Sequence, residues 1–429
     1  MEKAKKIIPG GNQLLSKRAE MFLPEQWPAY YKKAKGIKVW DLNGKVYKDF
    51  TIMGVGACIL GYADPDVNKA VKAAIDNGSM STLNSPEEVA FAELLVKLHP
   101  WANMVRYARG GGEAMTVAAR IARAHSGKDK IAFCGYHGWQ DWYLAANLAS
   151  DKNLDGHLLS GLEPRGVPRG LIGTVLPFHY NNISELEKIA ANNKDIGAII
   201  VETVRDHEPK DDFLKKVRRI ADRINAVLIF DEVTVGWRLA VGGSHLKYGV
   251  NPDIAVFAKA MGNGFPIAAI IGKRSVMDDA QKTFISSTFW TERIGSVAAL
   301  ATIKKLRAKN VPAHLAKIGQ RIGQGWEKLA LRHGLKISVA GPFCLVAFAF
   351  DYGAESQAIR TLFTQEMLRR GYLASSSVYV SLAHTAKLVD DYLKAVDQVF
   401  GIIKKAIDEN KVREYLEGPV AHAGFKRLT

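Results

Sequence analysis

Short, almost fully apolar runs alternate with longer amphipathic stretches through the middle of the chain. Near-continuous apolarity over so few residues predicts strands that are buried on both faces, as in a parallel sheet. The stretches between these runs carry apolar residues at helical spacing. This alternation predicts an α/β fold with a central, mainly parallel sheet. The predicted strands are residues 195–203, 226–233, 254–259 and 266–272, and the clearest predicted helices are residues 183–192 and 212–225.

The two ends of the chain have a different pattern. Residues 35–50 alternate between apolar and polar positions around Asn43-Gly44, which predicts a hairpin with a two-residue turn. Residues 335–351 contain two further strand candidates, and residues 388–405 have the spacing of an amphipathic helix. We therefore expect a large central domain and a small α+β domain built from both ends. The expected segments are residues 1–60, 61–300 and 301–429.

Two segments lack clear periodicity. Residues 151–170 contain glycine, proline and arginine, and they fit either an active-site lid or a plain surface connection. The tail, residues 418–429, carries His422 and Phe425 together with Lys426 and Arg427. Such a tail would suit a segment folded over a partner's active site, but we expect a frayed terminus instead.

Composition narrows the possible functions. The 59 lysines and arginines outnumber the 43 acidic residues, which gives a net charge of +16. These charges are spread along the chain and accompany no nucleic-acid-binding motif, so we expect small anionic ligands and no nucleic acid. No apolar run is long enough to cross a membrane, and none resembles a signal peptide. The three cysteines match no metal or redox spacing, and we expect a cytoplasmic protein without a metal site.

The first candidate for chemistry is the run Gly110-Gly111-Gly112, which opens a predicted helix. Backbone N–H groups at a helix N-terminus attract anions, and glycine lets a phosphate approach closely. A glycine-rich turn before a helix can equally be structural. The run matches neither the P-loop nor the dinucleotide fingerprint.

Three further candidates lie at the predicted ends of strands. Tyr136, which stands between glycines, could stack on a flat heterocycle, or it could be a half-buried packing residue. Asp231 follows a buried strand and would need a partner such as a protonated ring nitrogen, unless it forms a helix cap or a structural ion pair. Lys259 ends an apolar strand. A desolvated lysine is a good nucleophile toward an aldehyde, but a lysine here can also simply extend its amine to solvent.

In combination, these elements resemble the fold-type I, class III aminotransferases, and among them the glutamate-1-semialdehyde aminomutase branch. The similarity begins at Ile8-Pro9-Gly10-Gly11, continues through residues 35–50 and 60–71, and reaches residues 371–385. It implies pyridoxal phosphate (PLP) as the cofactor, with Lys259 as the Schiff-base lysine and Asp231 paired with the ring nitrogen. It also implies a homodimer with active sites at the interface. The implied cofactor-binding residues are Gly111, Gly112, Tyr136, His137, Glu202, Asp231, Val233, Lys259 and, reaching the neighbouring subunit's phosphate, Thr288.

The sequence departs from the family pattern mainly on the substrate side. Residues 376–380 contain no carboxylate where the aminomutases have a glutamate, and their substrate-binding N-terminal segment is changed, with Arg18 as a candidate counterpart of its arginine. The candidate substrate-binding residues are therefore Arg18, Ser376 and Tyr379. In the phosphate loop, Gly110-Gly111-Gly112 replaces the family's Ser-Gly-Thr, so two hydroxyl donors are lost.

These departures favour ordinary transamination over aminomutation, because a mutase must retain one intermediate through two half-reactions. We expect transfer from an amino-acid donor to a ketone or aldehyde, which could be sugar-like, phosphorylated or nucleotide-linked. Two alternatives remain open at this stage. One is an aminomutase or racemase of the same fold, and the other is a non-catalytic PLP-fold binding protein.

Overall fold

The computed structural model describes residues 1–157 and 160–424, which form two compact units. One unit comprises residues 65–312, and the other combines residues 1–64 with the chain from residue 313 onward. The strands are β1 (Tyr31–Lys35), β2 (Lys38–Asp41), β3 (Val46–Phe50), β4 (Met104–Ala108), β5 (Lys130–Cys134), β6 (Val175–Pro177), β7 (Ile196–Glu202), β8 (Val227–Asp231), β9 (Ile254–Phe257), β10 (Ala268–Gly272), β11 (Ile337–Ala340), β12 (Leu345–Phe350), β13 (Tyr372–Ala374) and β14 (Ser377–Tyr379). The helices are α1 (Glu2–Ile7), α2 (Pro65–Asp76), α3 (Pro86–Leu98), α4 (Gly111–Ser126), α5 (Asp141–Leu144), α6 (Ala146–Ala149), α7 (Ile183–Asn192), α8 (Phe213–Arg223), α9 (Ser244–Tyr248), α10 (Arg274–Met277), α11 (Arg293–Ala308), α12 (Val311–His333), α13 (Ser356–Arg369) and α14 (Ala386–Asp408).

A seven-stranded sheet forms the centre of the larger unit, in the order β4-β10-β9-β8-β7-β5-β6. The pairs β6–β5, β5–β7, β7–β8 and β8–β9 are parallel, whereas β10 runs antiparallel to both β9 and β4. Every residue of β7 and β8 is buried, because helices cover both faces of a parallel sheet. The predicted α/β fold with a mainly parallel sheet is confirmed.

The two faces of this sheet pack against different helices. Alternating residues of β8, Val227 and Ile229, belong to a core that includes the buried face of α4. The residues between them, Leu228 and Phe230, belong to a second core with α7 and α8. The period of two along a strand therefore fixes which side chains at the end of β8 face α4.

The second unit contains two smaller sheets, in the orders β1-β2-β3-β13 and β11-β12-β14. The predicted hairpin is present as β2 and β3, but its two-residue turn is wrong. Asp41 N–H donates to Lys45 O at 3.0 Å, which leaves three residues in the loop. The Asp41 carboxylate causes this by accepting the N–H groups of both Asn43 and Lys45 at 2.9 Å.

The tail also differs from its prediction. Residues up to His422 dock onto the second unit, since Ala421 N–H donates to Thr361 Oγ1 at 3.0 Å and His422 N–H donates to Glu20 O at 2.8 Å. The expected fraying is therefore wrong as far as His422, while the predicted contributions of Phe425, Lys426 and Arg427 lie outside the described residues. Among the described residues, no helix is long and apolar enough to span a membrane.

Candidate active site

Four adjacent parallel strands end at one edge of the central sheet and bring the predicted residues together. Strands β5, β7, β8 and β9 pair in register, with Glu202 directly opposite Asp231 at the last position of β7 and β8. Tyr136 and His137 follow β5, and Lys259 follows β9. Ligands of open α/β sheets bind at this carboxyl edge.

Lys259 begins a short 3₁₀ turn immediately after β9 and its backbone has a φ of 45°, in the left-handed region. Such a conformation is costly for a residue with a side chain and is found mainly where function demands it. The Lys259 Nζ donates to Thr234 Oγ1 at 2.9 Å. Desolvation lowers the pKa of Lys259, although the nearby Asp231 and Glu202 carboxylates oppose the shift. A lowered pKa makes the neutral, nucleophilic amine more accessible.

Asp231 is buried and held in place from two sides. His137 Nδ1 donates to Asp231 Oδ2 at 2.8 Å, and Val233 N–H donates to Asp231 Oδ1 at 2.9 Å. The His137 side chain is completely buried, and its Nε2 has no hydrogen-bond partner in the part of the chain that the structure describes. The pair thus presents an oriented carboxylate at the carboxyl edge of the sheet.

Glu202 is the second buried carboxylate at this edge. Its Oε2 accepts Tyr136 N–H at 3.0 Å and lies 3.4 Å from Arg205 Nη1. Burial raises the pKa of Glu202, against the lowering effect of Arg205, and the Asp231 carboxylate adds to the rise. Arg205 keeps 21% of its side-chain surface exposed, so it is the accessible member of this pair.

The glycine run forms the start of α4. The Glu113 carboxylate accepts Arg109 N–H at 2.9 Å and Gly110 N–H at 3.3 Å. The N–H groups of Gly111 and Gly112 lie in the first helical turn, where no intrahelical acceptor exists. A Cβ on Gly111 would lie 2.7 Å from Val233 Cγ1, so this glycine allows α4 to approach the residues after β8.

Thr288 and Arg109 are placed differently from the residues at the edge of the sheet. Thr288 is exposed at the start of a 3₁₀ turn, in a loop of the same unit. Arg109 does not point freely toward an anion, because its guanidinium contacts the carbonyl oxygens of Trp290 and Glu292 and lies 3.6 Å from the Glu292 carboxylate.

The candidate substrate-binding residues belong to the other compact unit. The Arg18 guanidinium lies against Gly10, and its buried Nε has no hydrogen-bond partner among the described residues. Ser376 precedes β14 and Tyr379 ends it; both are half-buried, and Ser376 O accepts Phe348 N–H at 2.8 Å. The position of Tyr379 is fixed by its N–H, which donates to Thr51 O at 2.7 Å.

Sequence reasoning missed two residues of the larger unit, Arg205 and Gln140. Arg205 follows Glu202 by three residues, and this spacing at a strand end was a signal that could have found it. Gln140 packs against Gly112, which precedes it by 28 positions, and no local pattern indicates that contact.

The residues at this edge fit PLP. Lys259 offers an amine with a lowered pKa, and Asp231 offers a buried carboxylate for a protonated ring nitrogen. The N–H groups of Gly111 and Gly112 offer donors for a phosphate at a helix N-terminus. Two contacts connect these features at the carboxyl edge of the sheet. A Cβ on Gly111 would meet Val233, and Val233 N–H donates to Asp231.

Comparison with known proteins gives a consistent result. A family model described as aminotransferase class-III matches residues 23–400. The chain is 31% identical over 420 residues to a 3-aminobutyryl-CoA aminotransferase of Cloacimonas acidaminovorans, covering 93% of this chain and 96% of that protein. It is 33% identical over 419 residues to a glutamate-1-semialdehyde 2,1-aminomutase of Acetivibrio thermocellus, with the same coverage.

A solved structure agrees with the fold. The FumI protein of Sphingopyxis sp. MTA144, solved in a form carrying PLP, superposes with a TM-score of 0.84 at 26% identity. The match covers 95% of this chain and 96% of that one.

Proposed function

The chain belongs to the class III aminotransferases, which are fold-type I enzymes dependent on PLP, and from this premise we propose how its residues divide the work. The reaction is amino transfer from an amino-acid donor to a ketone or aldehyde acceptor. The observation that carries the assignment of roles is the placement of Lys259 and Asp231 at the carboxyl edge of the sheet, with Asp231 last in β8 and Lys259 just after the adjacent β9.

PLP, when bound, supplies an aldehyde and a ring that withdraws electrons from the carbon to which the amine is attached. Lys259 would hold the cofactor, and its free amine would move a proton at the donor carbon. Asp231 would keep the ring nitrogen protonated, and His137 fixes the orientation of that carboxylate through its 2.8 Å hydrogen bond. Val233 and Tyr136 would contact the ring, and the N–H groups of Gly111 and Gly112 would bind the phosphate.

Arg205 supports an amino acid as the donor. Its guanidinium is partly exposed beside Glu202 at the same edge of the sheet as Lys259. A guanidinium binds a carboxylate in two-point geometry, and exchanging its Glu202 contact for a substrate carboxylate would preserve its charge balance. We assign the donor's carboxylate to Arg205.

The acceptor is a polar carbonyl compound that is sugar-like, phosphorylated or nucleotide-linked. The net charge of +16 supports attraction of an anionic molecule. The relative from Cloacimonas is named for a substrate that carries coenzyme A, which supports the phosphorylated or nucleotide-linked class. Arg18, Ser376 and Tyr379 supply the polar contacts on the acceptor side.

A homodimer completes the proposal, with Thr288 reaching the phosphate in the neighbouring subunit. Two segments of the larger unit, residues 80–89 and 284–289, carry exposed apolar side chains, and Val89 and Ile285 from these segments line a cavity of about 590 Å³. Arg293, which follows the second segment, contacts Ser79 O and the Glu87 carboxylate near the first. Exposed apolar surface of this kind is typical of an interface. We call this set the loop patch; it comprises Met80, Leu83, Val89, Phe284 and Phe289.

The enzyme is cytoplasmic in this proposal. Cys58, Cys134 and Cys344 form no disulfide bond, which suits a reducing compartment.

Aminomutation is the second candidate function, and the 33% identity to an aminomutase favours it. The two reactions differ in what they need. A transaminase consumes an external amino donor and releases its keto acid, whereas an aminomutase forms product without either.

The test is a titration of the purified yellow holoenzyme with candidate amines, added one at a time. Each true donor should convert the long-wavelength absorbance to that of the amine form of the cofactor and release a stoichiometric keto acid. A chain that converts with no amine in a broad panel of amino acids would refute the proposal. Conversion of glutamate 1-semialdehyde to product without a keto acid would establish the aminomutase instead.

A further inference from the structure

Gln140 lies where the family's phosphate loop has lost its threonine. The resemblance places a threonine at position 112, and this chain has glycine there. A Cβ on Gly112 would lie 2.7 Å from Gln140 Oε1 and 2.9 Å from Gln140 Nε2. The carboxamide of Gln140 therefore fills the space that a side chain at position 112 would otherwise occupy.

A second glycine makes room for the same carboxamide from the other side. A Cβ on Gly138 would collide with Gln140 Oε1 and would lie 2.9 Å from Gly112 Cα. Gly138 also has a φ of 119°, which disfavours any other residue. The carboxamide is thus enclosed between Gly112 and Gly138 at the start of α4.

The orientation of the carboxamide leaves its amino group free. Trp139 N–H donates to Gln140 Oε1 at 3.1 Å, which identifies the oxygen end. Gln140 Nε2 carries two N–H donors and has no acceptor among the described residues. It lies beside Gly111 and Gly112, whose first-turn N–H groups also lack intrahelical acceptors.

We propose that Gln140 Nε2 donates to the cofactor phosphate and replaces the hydroxyl of the lost threonine. Gly112 and Gln140 are then a compensating pair, in which glycine provides the space and glutamine the donor. This inference rests on the proposed binding of the phosphate at the start of α4. It does not depend on the identity of the donor or the acceptor.

Gln140 also has a structural role, but that role belongs to its main-chain carbonyl and not to its side chain. Gln140 O accepts the N–H groups of Tyr143 and Leu144 at 3.0 and 3.1 Å, and thereby starts α5. Substitution of the side chain keeps these bonds. Gln140→Glu also keeps an acceptor for Trp139 N–H, but it removes both Nε2 donors and places a negative charge beside the phosphate.

The experiment measures the dissociation constants of PLP and of pyridoxal, which lacks the phosphate, for full-length protein stripped of cofactor. Gln140→Ala should weaken PLP binding about tenfold, the usual effect of losing one hydrogen bond to a charged group. Gln140→Glu should weaken PLP binding further. Both variants should bind pyridoxal within about twofold of the parent protein, since the lost contact is to the phosphate. Asn192→Asp, the same charge change at the exposed end of α7, is the control and should alter neither constant.

The pairing of Gly112 with Gln140 has its own test, in which one substitution should have opposite effects on PLP binding in two backgrounds. Gly112→Thr should weaken PLP binding in the parent protein, because its Cβ collides with Gln140, but it should strengthen binding in the Gln140→Ala background. Equal effects of the Gln140 variants on PLP and pyridoxal, or no effect on either, would overturn the proposal. So would a Gly112→Thr effect of the same sign in both backgrounds. If the unmodified protein bound no PLP, the failure would instead lie in the proposed function.

Discussion

Two neighbouring carboxylates at the end of β8 have opposite surroundings. Asp231 accepts hydrogen bonds from His137 and from Val233 N–H, whereas Glu232 accepts four hydrogen bonds at the start of α9. Burial alone would raise the pKa of Glu232, but the hydrogen bonds and charge of His245 and the N–H of Ser244 make the net shift a lowering. We therefore expect a chemical role for Asp231 and a structural one for Glu232.

This difference makes the pair a matched test. Asp231→Asn should slow the half-reaction with any donor by about 100-fold or more, because an amide cannot stabilise a protonated ring nitrogen. Glu232→Gln should instead lower the free energy of unfolding by about 2 kcal/mol, through weaker bonds to His245 and Ser244, while the folded enzyme reacts at nearly the parent rate. Stopped-flow absorbance and chemical denaturation measure the two effects. Equal kinetic losses in both variants would contradict the assigned roles.

Arg205 is the residue whose substitution should change donor selection. Arg205→Ala should raise the KM for amino-acid donors about tenfold or more, because the ion pair between the guanidinium and the donor carboxylate is lost. Amines without a carboxylate should react with unchanged or lower KM. Arg205→Lys should retain part of the affinity, since it keeps the charge and loses the two-point geometry. Equal increases in KM for donors with and without a carboxylate would show that Arg205 only supports Glu202.

The long helix α12 offers a test of packing at the scale of one element. A Cβ on Gly319 would overlap the backbone carbonyl of Phe343, whereas a Cβ on Gly323 would lie 3.2 Å from the flexible side chain of Val346. Gly319→Ala should therefore destabilise the protein by about 2 kcal/mol or more, since backbone must move. Gly323→Ala should be neutral or stabilise by up to about 1 kcal/mol, because alanine favours a helix. Thermal unfolding compares the two, and equal shifts would mean that α12 does not pack closely against residue 343.

Most of the large elements could be predicted from the sequence, because each depends on local periodicity. The apolar runs of β7, β8 and β9 predict strands buried on both faces, and the helix at residues 183–192 has the predicted bounds. The direction of β10 could not be predicted, since both orientations bury the same side chains. The prediction of a two-residue turn after Asp41 was wrong because a side-chain carboxylate, not the Asn43-Gly44 pair, determines the length of the turn.

The candidate site was only partly predictable for a similar reason. Asp231 and Glu202 each end a strand and Lys259 follows one, and parallel strands bring such ends together. The pairing of Gln140 with Gly112 depends on how the segment after β5 folds over the start of α4, which no sequence period encodes. The same holds for Arg109, whose partners Trp290 and Glu292 lie far along the chain.

At the scale of the whole molecule, the loop patch predicts self-association. Phe284 is 83% exposed within the patch, and Leu331 is 84% exposed on α12, in the part of that helix that belongs to the other compact unit. Phe284→Asp should shift the protein toward monomers and weaken PLP binding, because Thr288 would no longer reach a neighbouring site. Leu331→Asp is the matched control and should leave the mass unchanged. Analytical ultracentrifugation measures the mass, and an unchanged assembly in Phe284→Asp would remove the loop patch from the interface.

The most direct measurement of the central claim is the position of the covalent bond to the cofactor. The holoenzyme is reduced with borohydride, digested, and its peptides are mapped by mass spectrometry. We expect one pyridoxyl phosphate group, on Lys259, and none in the Lys259→Ala protein treated in the same way. Modification of a different lysine, or of none, would contradict it.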